Sequence, residues 1–505
     1  MLRLILLLLS LFWSFYFAYA QQITGRIIDS QTKKSIPFAT IRVGEADLIS
    51  NQEGYFTLSG ENTNEAALLS VSFIGYAPQK ISVSHLKSNN NIVELDLATY
   101  DIEGVYVSNI KPDPNEIMKL VNENLSQNYN NRNTKNYFFL RKTEGFRPKN
   151  IQVEIDKSTG FTKKQLKESN QEIKSLIETF KKYPPIEFSD VLGDLYISSE
   201  GKSKFDAKKA TRLFDANRSY SKEKLEEKAK DIFLKHLDTT KNYKISSGWF
   251  TLSSKKKEQK RQEKNSKIIS ETKTDTTKVK TNSYSGISSE IIHTLNKHNF
   301  NHKNSFDFVR QTDLYEYTYM EATYLDRHLV YVLNFKPKKS KAKYEGTLYI
   351  SDADYAIIRA DYKYAKGKRG KGINLKLVLG VKFFQDKTQG IVVYKKNDAN
   401  PYYYPHYISY EEGSSIYVHR PLKFKEEVKG KKDILKLDAI IDGVVIEKIE
   451  LLNLQNTPIT QEDFNTANTT KLNYIEIKQY DPNIWKDYNI IEPLEEMKKF
   501  KVLEE

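Results

Sequence analysis

The chain has 505 residues and no cysteine, and its 79 lysine and arginine residues outnumber its 65 aspartate and glutamate residues. The length excludes a lone small domain, and the lack of cysteine excludes a disulfide scaffold and a thiolate metal site. With 39% hydrophobic and 29% charged residues, the chain is too rich in core formers to be disordered and too polar for a membrane protein with several helical spans.

The first 20 residues have the pattern of a signal peptide. Arg3 gives a basic start, and residues 4–17 are apolar apart from two serines. Ala18 and Ala20 are the small residues that signal peptidase accepts, which places cleavage before Gln21. The apolar run is shorter than the roughly 20 residues of a membrane-spanning helix, so we favour cleavage over a membrane anchor. Because no cysteine is available for lipidation, we expect an exported protein that is periplasmic or associated with the outer membrane through partners or β-strands.

Residues 21–108 contain short apolar runs that alternate with turn residues. The six runs of strand length are Gln22–Asp29, Phe38–Val43, Gly54–Leu58, Leu68–Ile74, Gln79–Val83 and Ile92–Leu97. They are rich in β-branched and aromatic residues and are separated by Gly, Pro, Asn and Asp. This pattern predicts a Greek-key-like β-sandwich of about 80 residues.

Four motifs refine this prediction. The residues that define them are Gly25, Asp29, Pro37, Gly54, Phe56, Gly75 and Tyr76. In this order and spacing, the motifs closely resemble the carboxypeptidase-regulatory-like domain, a family with a transthyretin-like sandwich fold. The resemblance implies a noncatalytic module of the kind found in outer-membrane receptors and other envelope proteins of the Bacteroidota type. Each motif residue has a folding role: Gly54 permits a tight turn, Pro37 fixes the start of a strand, and Gly75 relieves a bend.

The family name raises the question of a zinc carboxypeptidase site. Such a site needs a His followed three residues later by a Glu, and a distant second His. The eight histidines that lack this Glu are His85, His236, His293, His298, His302, His328, His406 and His419. His298 and His302 have the spacing of helix ligands, but the asparagines around them favour solvated side chains at a helix end.

Other catalytic patterns are missing as well. Gly413-Ser414-Ser415 is expected to form a turn rather than a nucleophile elbow. The Gly-rich stretch 367–372 is expected to form the turn of a hairpin rather than a P-loop. The carboxylate pairs Glu411/Glu412 and Asp352/Asp354 suit strand ends and turns. We therefore predict no catalytic residue, no cofactor and no metal.

Residues 112–250 predict a mixed helical part of an α+β domain. Helices are expected at Asn115–Tyr129, Thr162–Lys182 and Ser221–His236, and a strand at Tyr137–Thr143. Residues 251–285 form a Lys-rich, low-complexity insertion that carries almost half of the basic excess. We interpret the insertion as a flexible linker, because an exported protein has little access to nucleic acid; anionic lipid is the more available partner.

From Asp313 the apolar period is two, which predicts that residues 286–450 form a curved antiparallel meander. The expected strands are Leu314–Tyr324, His328–Lys336, Glu345–Ile350, Ala356–Tyr364, Ile373–Phe384, Gly390–Lys395, Tyr402–Glu411 and Ile416–Glu426. The strict alternation in Ile373–Phe384 indicates one buried face. The segment 346–358 weakly resembles one strand-turn-strand motif of the half-barrels of periplasmic lipoprotein carriers. The rest of the carriers' pattern is missing from this sequence.

The tail 451–505 is expected to end in a short helix packed on the sheet. Two architectures fit the meander itself. A soluble half-barrel wrapped on the helices at 115–129 and 162–182 holds a lipid or its own core, whereas an outer-membrane barrel needs a lipid-facing band. We favour the half-barrel. The sequence thus predicts a multidomain, β-rich, noncatalytic envelope protein that binds envelope proteins, lipid or glycan but no nucleic acid; a receptor-associated protein and a hydrolase remain the alternatives.

Overall fold

The computed structural model describes residues 22–98, 111–129, 132–214, 243–247, 250–253, 284–397, 400–426, 434–470 and 472–500. These residues form an N-terminal β-sandwich and a larger β-rich part. The predicted signal peptide with Ala18, Ala20 and Gln21, the expected helix Ser221–His236 and most of the Lys-rich insertion lie outside the described residues. In the part of the chain that the structure describes, no helix is long and apolar enough to cross a membrane.

The N-terminal part is the predicted sandwich. Its elements are β1 (Ile23–Asp29), β2 (Thr40–Val43), β3 (Ala46–Ile49), β4 (Tyr55–Leu58), β5 (Leu68–Ser72), β6 (Gln79–Ser82), α1 (Val83–Ser88) and β7 (Ile92–Leu95). The sheets have the orders β4-β1-β7 and β3-β2-β5-β6, and they bury Ile27, Ile41 and Phe56 between them. Helix α1 was not predicted. It begins because the Ser82 hydroxyl accepts a hydrogen bond from the His85 backbone N–H at 3.2 Å.

The larger part is one long, mainly antiparallel sheet with helices. Its elements are α2 (Pro114–Asn128), β8 (Thr134–Ser158), α3 (Lys163–Lys182), β9 (Ile186–Ile197), β10 (Ser203–Phe214), β11 (Tyr243–Ser247), β12 (Phe250–Ser253), α4 (Tyr284–His298), α5 (Asp307–Arg310), β13 (Tyr315–Leu325), β14 (His328–Pro337), β15 (Tyr344–Ser351), β16 (Ile357–Tyr364), β17 (Gly372–Leu375), α6 (Lys376–Leu379), β18 (Val381–Asn397), β19 (Asn400–His419), β20 (Leu422–Glu426), β21 (Ile434–Pro458), α7 (Gln461–Thr466), β22 (Ile475–Ile477) and α8 (Glu495–Lys498). The main strand order is β13-β14-β15-β16-β18-β19-β21-β8-β9-β10-β22. This architecture confirms the predicted fold class.

Helices α2 and α4 cover one face of this sheet, which we call the helix face. Helix α2 begins where the Asp113 carboxylate accepts a hydrogen bond from the Asn115 N–H at 2.9 Å. The core on this face is aromatic: Phe308 is fully buried and stacks on Phe335 at 4.5 Å between ring centroids. Protein side chains therefore fill the helix face where the two helices cross it, in the place where we expected a lipid or the protein's own core.

Helix α3 does not lie where we expected it. The half-barrel was predicted to wrap on this helix, but its Ile173 packs with Ile155, Leu435 and Leu437 at the far end of β8 and β21. The position beside α2 belongs to α4, at the start of the range 286–450 in which we predicted strands. The reason is geometric, because two strands of 25 residues extend beyond the first core and carry an apolar surface of their own.

The predicted strand Ile373–Phe384 is wrong. The chain forms β17, turns through α6, and returns as β18, so that Ile373 pairs with Phe383 across a hairpin. Gly380 ends α6 with a φ of 63°, a left-handed conformation that favours glycine. The face that the alternation led us to expect as buried is largely exposed here: β17 is exposed at each of its four positions.

The sandwich packs on the opposite face of the sheet, which we call the sandwich face. Phe139, Tyr407 and Leu452 of the sheet are fully buried in one core with sandwich residues and with Trp485 of the tail. Phe38 stacks on Tyr407 at 5.6 Å between centroids. The sandwich, the tail and the middle of the sheet thus share a single apolar core.

Candidate functional site

The predicted motif residues support the sandwich itself. Gly25 lies opposite Phe56 in the β1–β4 ladder, and a Cβ on Gly25 would come within 2.4 Å of the Phe56 ring. Gly54 has a φ of 82°, so the tight turn before β4 requires glycine. Pro37 lies between β1 and β2, and Gly75 in the turn after β5. These positions agree with folding roles.

Asp29 and Tyr76 form a hydrogen-bonded pair that joins the first and fourth motifs. The Tyr76 hydroxyl donates to Asp29 Oδ2 at 2.8 Å, while the backbone N–H groups of Thr32 and Gln31 donate to Asp29 Oδ1. The Thr32 N–H and the Tyr76 hydroxyl lower the pKa of Asp29 to about 2, and burial and Asp29 raise the pKa of Tyr76 to about 12. The pair stabilises the turn after β1.

The predicted solvated side chain at His298 is wrong. His298 is fully buried at the end of α4, with Nδ1 2.8 Å from the Thr294 carbonyl oxygen and Nε2 2.8 Å from the Tyr362 hydroxyl. Burial lowers the pKa of His298 to about 3. His302 lies in the following turn, where its Nδ1 accepts a hydrogen bond from Asn304 N–H. Among the described residues, no three His, Asp or Glu side chains are grouped so that they could hold a metal ion.

The carboxylates Glu411 and Glu412 do not lie at a strand end as expected, and residues 413–415 do not form the expected turn, because β19 runs through both positions without a break. Glu411 and Glu412 are neighbours on β19 and therefore point to opposite faces: Glu411 pairs with Lys387 at 2.7 Å, and Glu412 with Lys297 at 2.9 Å. Asp352 accepts a hydrogen bond from the Tyr331 hydroxyl and Asp354 one from the Tyr403 hydroxyl. Each of these carboxylates has a structural partner of its own.

A large cleft opens on the sandwich face beside the docked sandwich. It encloses about 920 Å³, within the usual size of ligand pockets, roughly 300–1,000 Å³. Its walls come from Phe38 and Gln52 of the sandwich, residues 182–186 after α3, and residues 494–500 of the tail. The cleft therefore depends on the docking of three segments that lie far apart in the sequence.

Two rows of side chains that run across the strands form the floor of the cleft. The outer row, from β15 to β8, consists of Glu345, Lys363, Gln389, Glu411, Lys448 and Thr143; the inner row consists of Thr347, Asp361, Ile391, Ser409, Glu450 and Arg141. Each member lies opposite the next one in the strand ladders. Directly opposed residues share a face, so the register places both rows side by side in the cleft.

Charge along the outer row alternates and balances. Lys363 pairs with Glu345 at 3.4 Å, and the Gln389 side-chain amide donates to Glu411 at 3.1 Å. Lys448 pairs with Glu450 of the inner row at 3.1 Å. The floor thus offers hydrogen-bond donors and acceptors in turn and favours neither a strongly anionic nor a strongly cationic ligand.

A buried ion pair anchors one end of the inner row. Arg141 donates to both carboxylate oxygens of Asp190, at 2.8 and 2.7 Å, and to the Ile491 carbonyl oxygen at 3.0 Å. Arg141 is 3% exposed and Asp190 1%. In the tail, the Glu492 carboxylate accepts a hydrogen bond from the Thr57 hydroxyl of the sandwich. These contacts fix the tail between sheet and sandwich, and so fix the shape of the cleft.

Sequence reasoning did not find the cleft residues. Lys363, Gln389 and Lys448 lie on separate strands, and only the strand register brings them together. The sequence shows polar residues at alternate positions of these strands, which indicates a polar face of the sheet. It does not show which segments pack along that face.

Residues 23–107 match the family model of the CarboxypepD_reg-like domain. No curated protein is similar enough to this chain to count as a match. A candidate outer membrane lipoprotein-sorting protein domain from Vibrio parahaemolyticus is 9% identical, with a TM-score of 0.21, 70% of this chain covered and 97% of that one. A candidate membrane-associated protein of unknown function from Bacteroides fragilis is 10% identical, with a TM-score of 0.11 and coverages of 85% and 97%. The N-terminal β-sandwich of this chain is therefore a carboxypeptidase-regulatory-like domain.

Proposed function

We propose that the protein is a noncatalytic, exported binding protein of the cell envelope that holds an extended, uncharged carbohydrate chain in the cleft. The observation that carries this proposal is the outer row, in which donors and acceptors alternate over six strands. Neighbouring strands lie about 4.8 Å apart, so the row is roughly 24 Å long. A chain of sugars presents hydroxyl groups that donate and accept along its whole length.

The rim of the cleft supports the same ligand. Phe38, Tyr183 and Phe500 line the cleft with the polar floor, and aromatic rings give apolar contact to one face of a polar ligand. The balanced charge of the floor disfavours nucleic acid, which requires a basic surface. Protein side chains fill the helix face, where we expected a lipid or the protein's own core, so the cleft is the better candidate for a ligand site. The signal peptide pattern supports export.

The proposal is tested by measuring the binding of a panel of neutral oligosaccharides to the chain that begins at Gln21, first on an array and then by calorimetry. Lys363→Met removes one donor of the outer row and should weaken binding about tenfold, since an unpaired polar contact costs about 1–3 kcal/mol. The matched control is Lys336→Met, because Lys336 forms a similar cross-strand pair with Glu316 at 3.2 Å outside the cleft.

Four results would contradict the proposal. If no oligosaccharide binds, carbohydrate is not the ligand. If Lys363→Met and Lys336→Met lose the same affinity, the cleft is not the binding site. Cleavage of a bound oligosaccharide, detected by mass spectrometry, would replace the noncatalytic role with the hydrolase alternative. Tighter binding of a peptide than of any sugar would favour a protein adaptor.

A further inference from the structure

A second surface lies outside the cleft, at the hairpin of β17, α6 and the start of β18. We call residues 372–384 the hairpin tip. Its four exposed large apolar side chains are Ile373, Leu375, Leu377 and Phe383, at 54, 40, 101 and 38% of full exposure. Exposure of several large apolar side chains together is unfavourable in water and marks an interaction site.

The apolar side chains of the hairpin tip share a face. Ile373 lies opposite Phe383 and Leu375 opposite Val381, and the ladder to β19 continues this face with Ile416 and Val418. Leu377 stands at the turn, where α6 reverses the chain. The result is an apolar surface on two strands with a fully exposed leucine at its outer end.

Basic residues are concentrated in the same stretch of the chain. The stretch 366–384 contains six lysine or arginine residues and no aspartate or glutamate. The Lys376 ammonium lies 4.1 Å from the centre of the Tyr417 ring, and the Arg369 guanidinium 4.5 Å from that of Phe384. Tyr417 and Phe384 alternate along their strands with the residues of the apolar face, so these two basic side chains lie on the opposite face of the hairpin. The two faces meet at the turn, where Lys376 is the neighbour of Leu377.

The shape of the turn is set before any partner binds. The Gly380 N–H donates to the Lys376 carbonyl oxygen at 3.0 Å, and the His419 N–H donates to the Gly380 carbonyl oxygen at 2.7 Å. Docking of the hairpin tip thus requires little ordering of the backbone, which lowers the entropic cost of association.

We propose that the hairpin tip docks onto an anionic lipid bilayer, with Leu377 and its apolar neighbours in the interface and the lysines on the headgroups. Apolar side chains in the headgroup region and basic residues beside them are the two contributions that hold peripheral proteins on anionic membranes. A basic surface without exposed apolar groups would fit a soluble polyanion, and an apolar surface without charge would fit a protein partner. The combination favours the bilayer.

The test is co-sedimentation of the chain that begins at Gln21 with vesicles of phosphatidylcholine alone or of phosphatidylcholine and phosphatidylglycerol in equal amounts. We expect binding to the anionic vesicles that weakens with salt. Leu377→Asn should lower the partition coefficient about tenfold, and Lys376→Gln and Lys382→Gln about fivefold each. Leu68→Asn and Lys80→Gln are the matched controls, because Leu68 is 63% exposed and Lys80 is exposed on the sandwich.

The outcomes separate this proposal from its rivals and from the carbohydrate proposal. Equal binding of wild type, Leu377→Asn and Leu68→Asn, or no binding to anionic vesicles, would overturn it. A change of oligomeric state in Leu377→Asn, measured by light scattering, would instead make β17 an edge for pairing with a second copy of the chain. Lys363→Met in the cleft should leave vesicle binding unchanged, so that either proposal can fail alone.

Discussion

The two ends of β8 and β21 differ in what covers them. At one end, Phe138 and Phe139 lie on opposite faces of β8 and both are buried, the first in the core with α2 and α4 and the second under the sandwich. At the other end, α3 covers one face only and buries Ile155 and Leu437. Between these two cores, Ile151 pairs with Ile441, and both remain partly exposed. The same strands thus carry an alternating pattern along their length, but only the docked helices and the sandwich turn it into a core. The alternation of apolar residues in the sequence identifies a face of the sheet, but that face becomes a core only where another element packs on it.

The largest expected effect contrasts a buried phenylalanine of α5 with an exposed phenylalanine of the hairpin tip. Phe308→Ala in the helix-face core should lower the free energy of unfolding by about 3–5 kcal/mol, because it leaves a cavity among packed rings. Phe383→Ala in the hairpin tip should lower it by less than about 1 kcal/mol, because that ring is already exposed. Urea unfolding followed by circular dichroism measures both. Similar losses would mean that the hairpin tip is covered in solution.

Acid should lower the free energy of unfolding because His298 is buried in the helix-face core. Because its pKa falls from 6.5 to about 3 on folding, its contribution to stability is complete above pH 6.5 and is lost as the pH falls towards 3. Between pH 7.5 and pH 5 the loss should be about 2 kcal/mol, which urea unfolding at each pH measures. His298→Gln should remove this share of the dependence and leave the share of His406, since burial lowers the pKa of that histidine to about 4. His328→Gln, at an exposed strand end, should leave the dependence unchanged. An unchanged slope in His298→Gln would show that another group dominates.

These contrasts also show how far the sequence determines the structure. The sandwich was predictable because Gly25, Gly54 and Gly75 mark turns and close contacts within one short region. The reversal of the chain at residues 376–379 was not predictable from periodicity, because the alternation of Ile373–Phe384 continues through it. Gly380 was the signal in the sequence that could have indicated the turn. The burial of His298 depends on Tyr362, 64 residues away. The cleft depends on strand register and on the docking of the tail, which no local pattern contains.

The most local expected effect separates backbone strain from steric contact at the hairpin tip. Gly380→Ala places a residue with a side chain at a φ of 63° and brings its Cβ within 2.2 Å of the His419 carbonyl oxygen. Gly367→Ala, at a φ of 80° with nothing within 4 Å of the new Cβ, carries the conformational cost alone, about 1–2 kcal/mol. Gly380→Ala should therefore cost more, open the turn locally and speed hydrogen exchange at the His419 amide. It should also weaken vesicle binding although Leu377 is intact. If both alanine variants exchange and bind alike, the close packing of Gly380 against β19 does not hold the hairpin tip in shape.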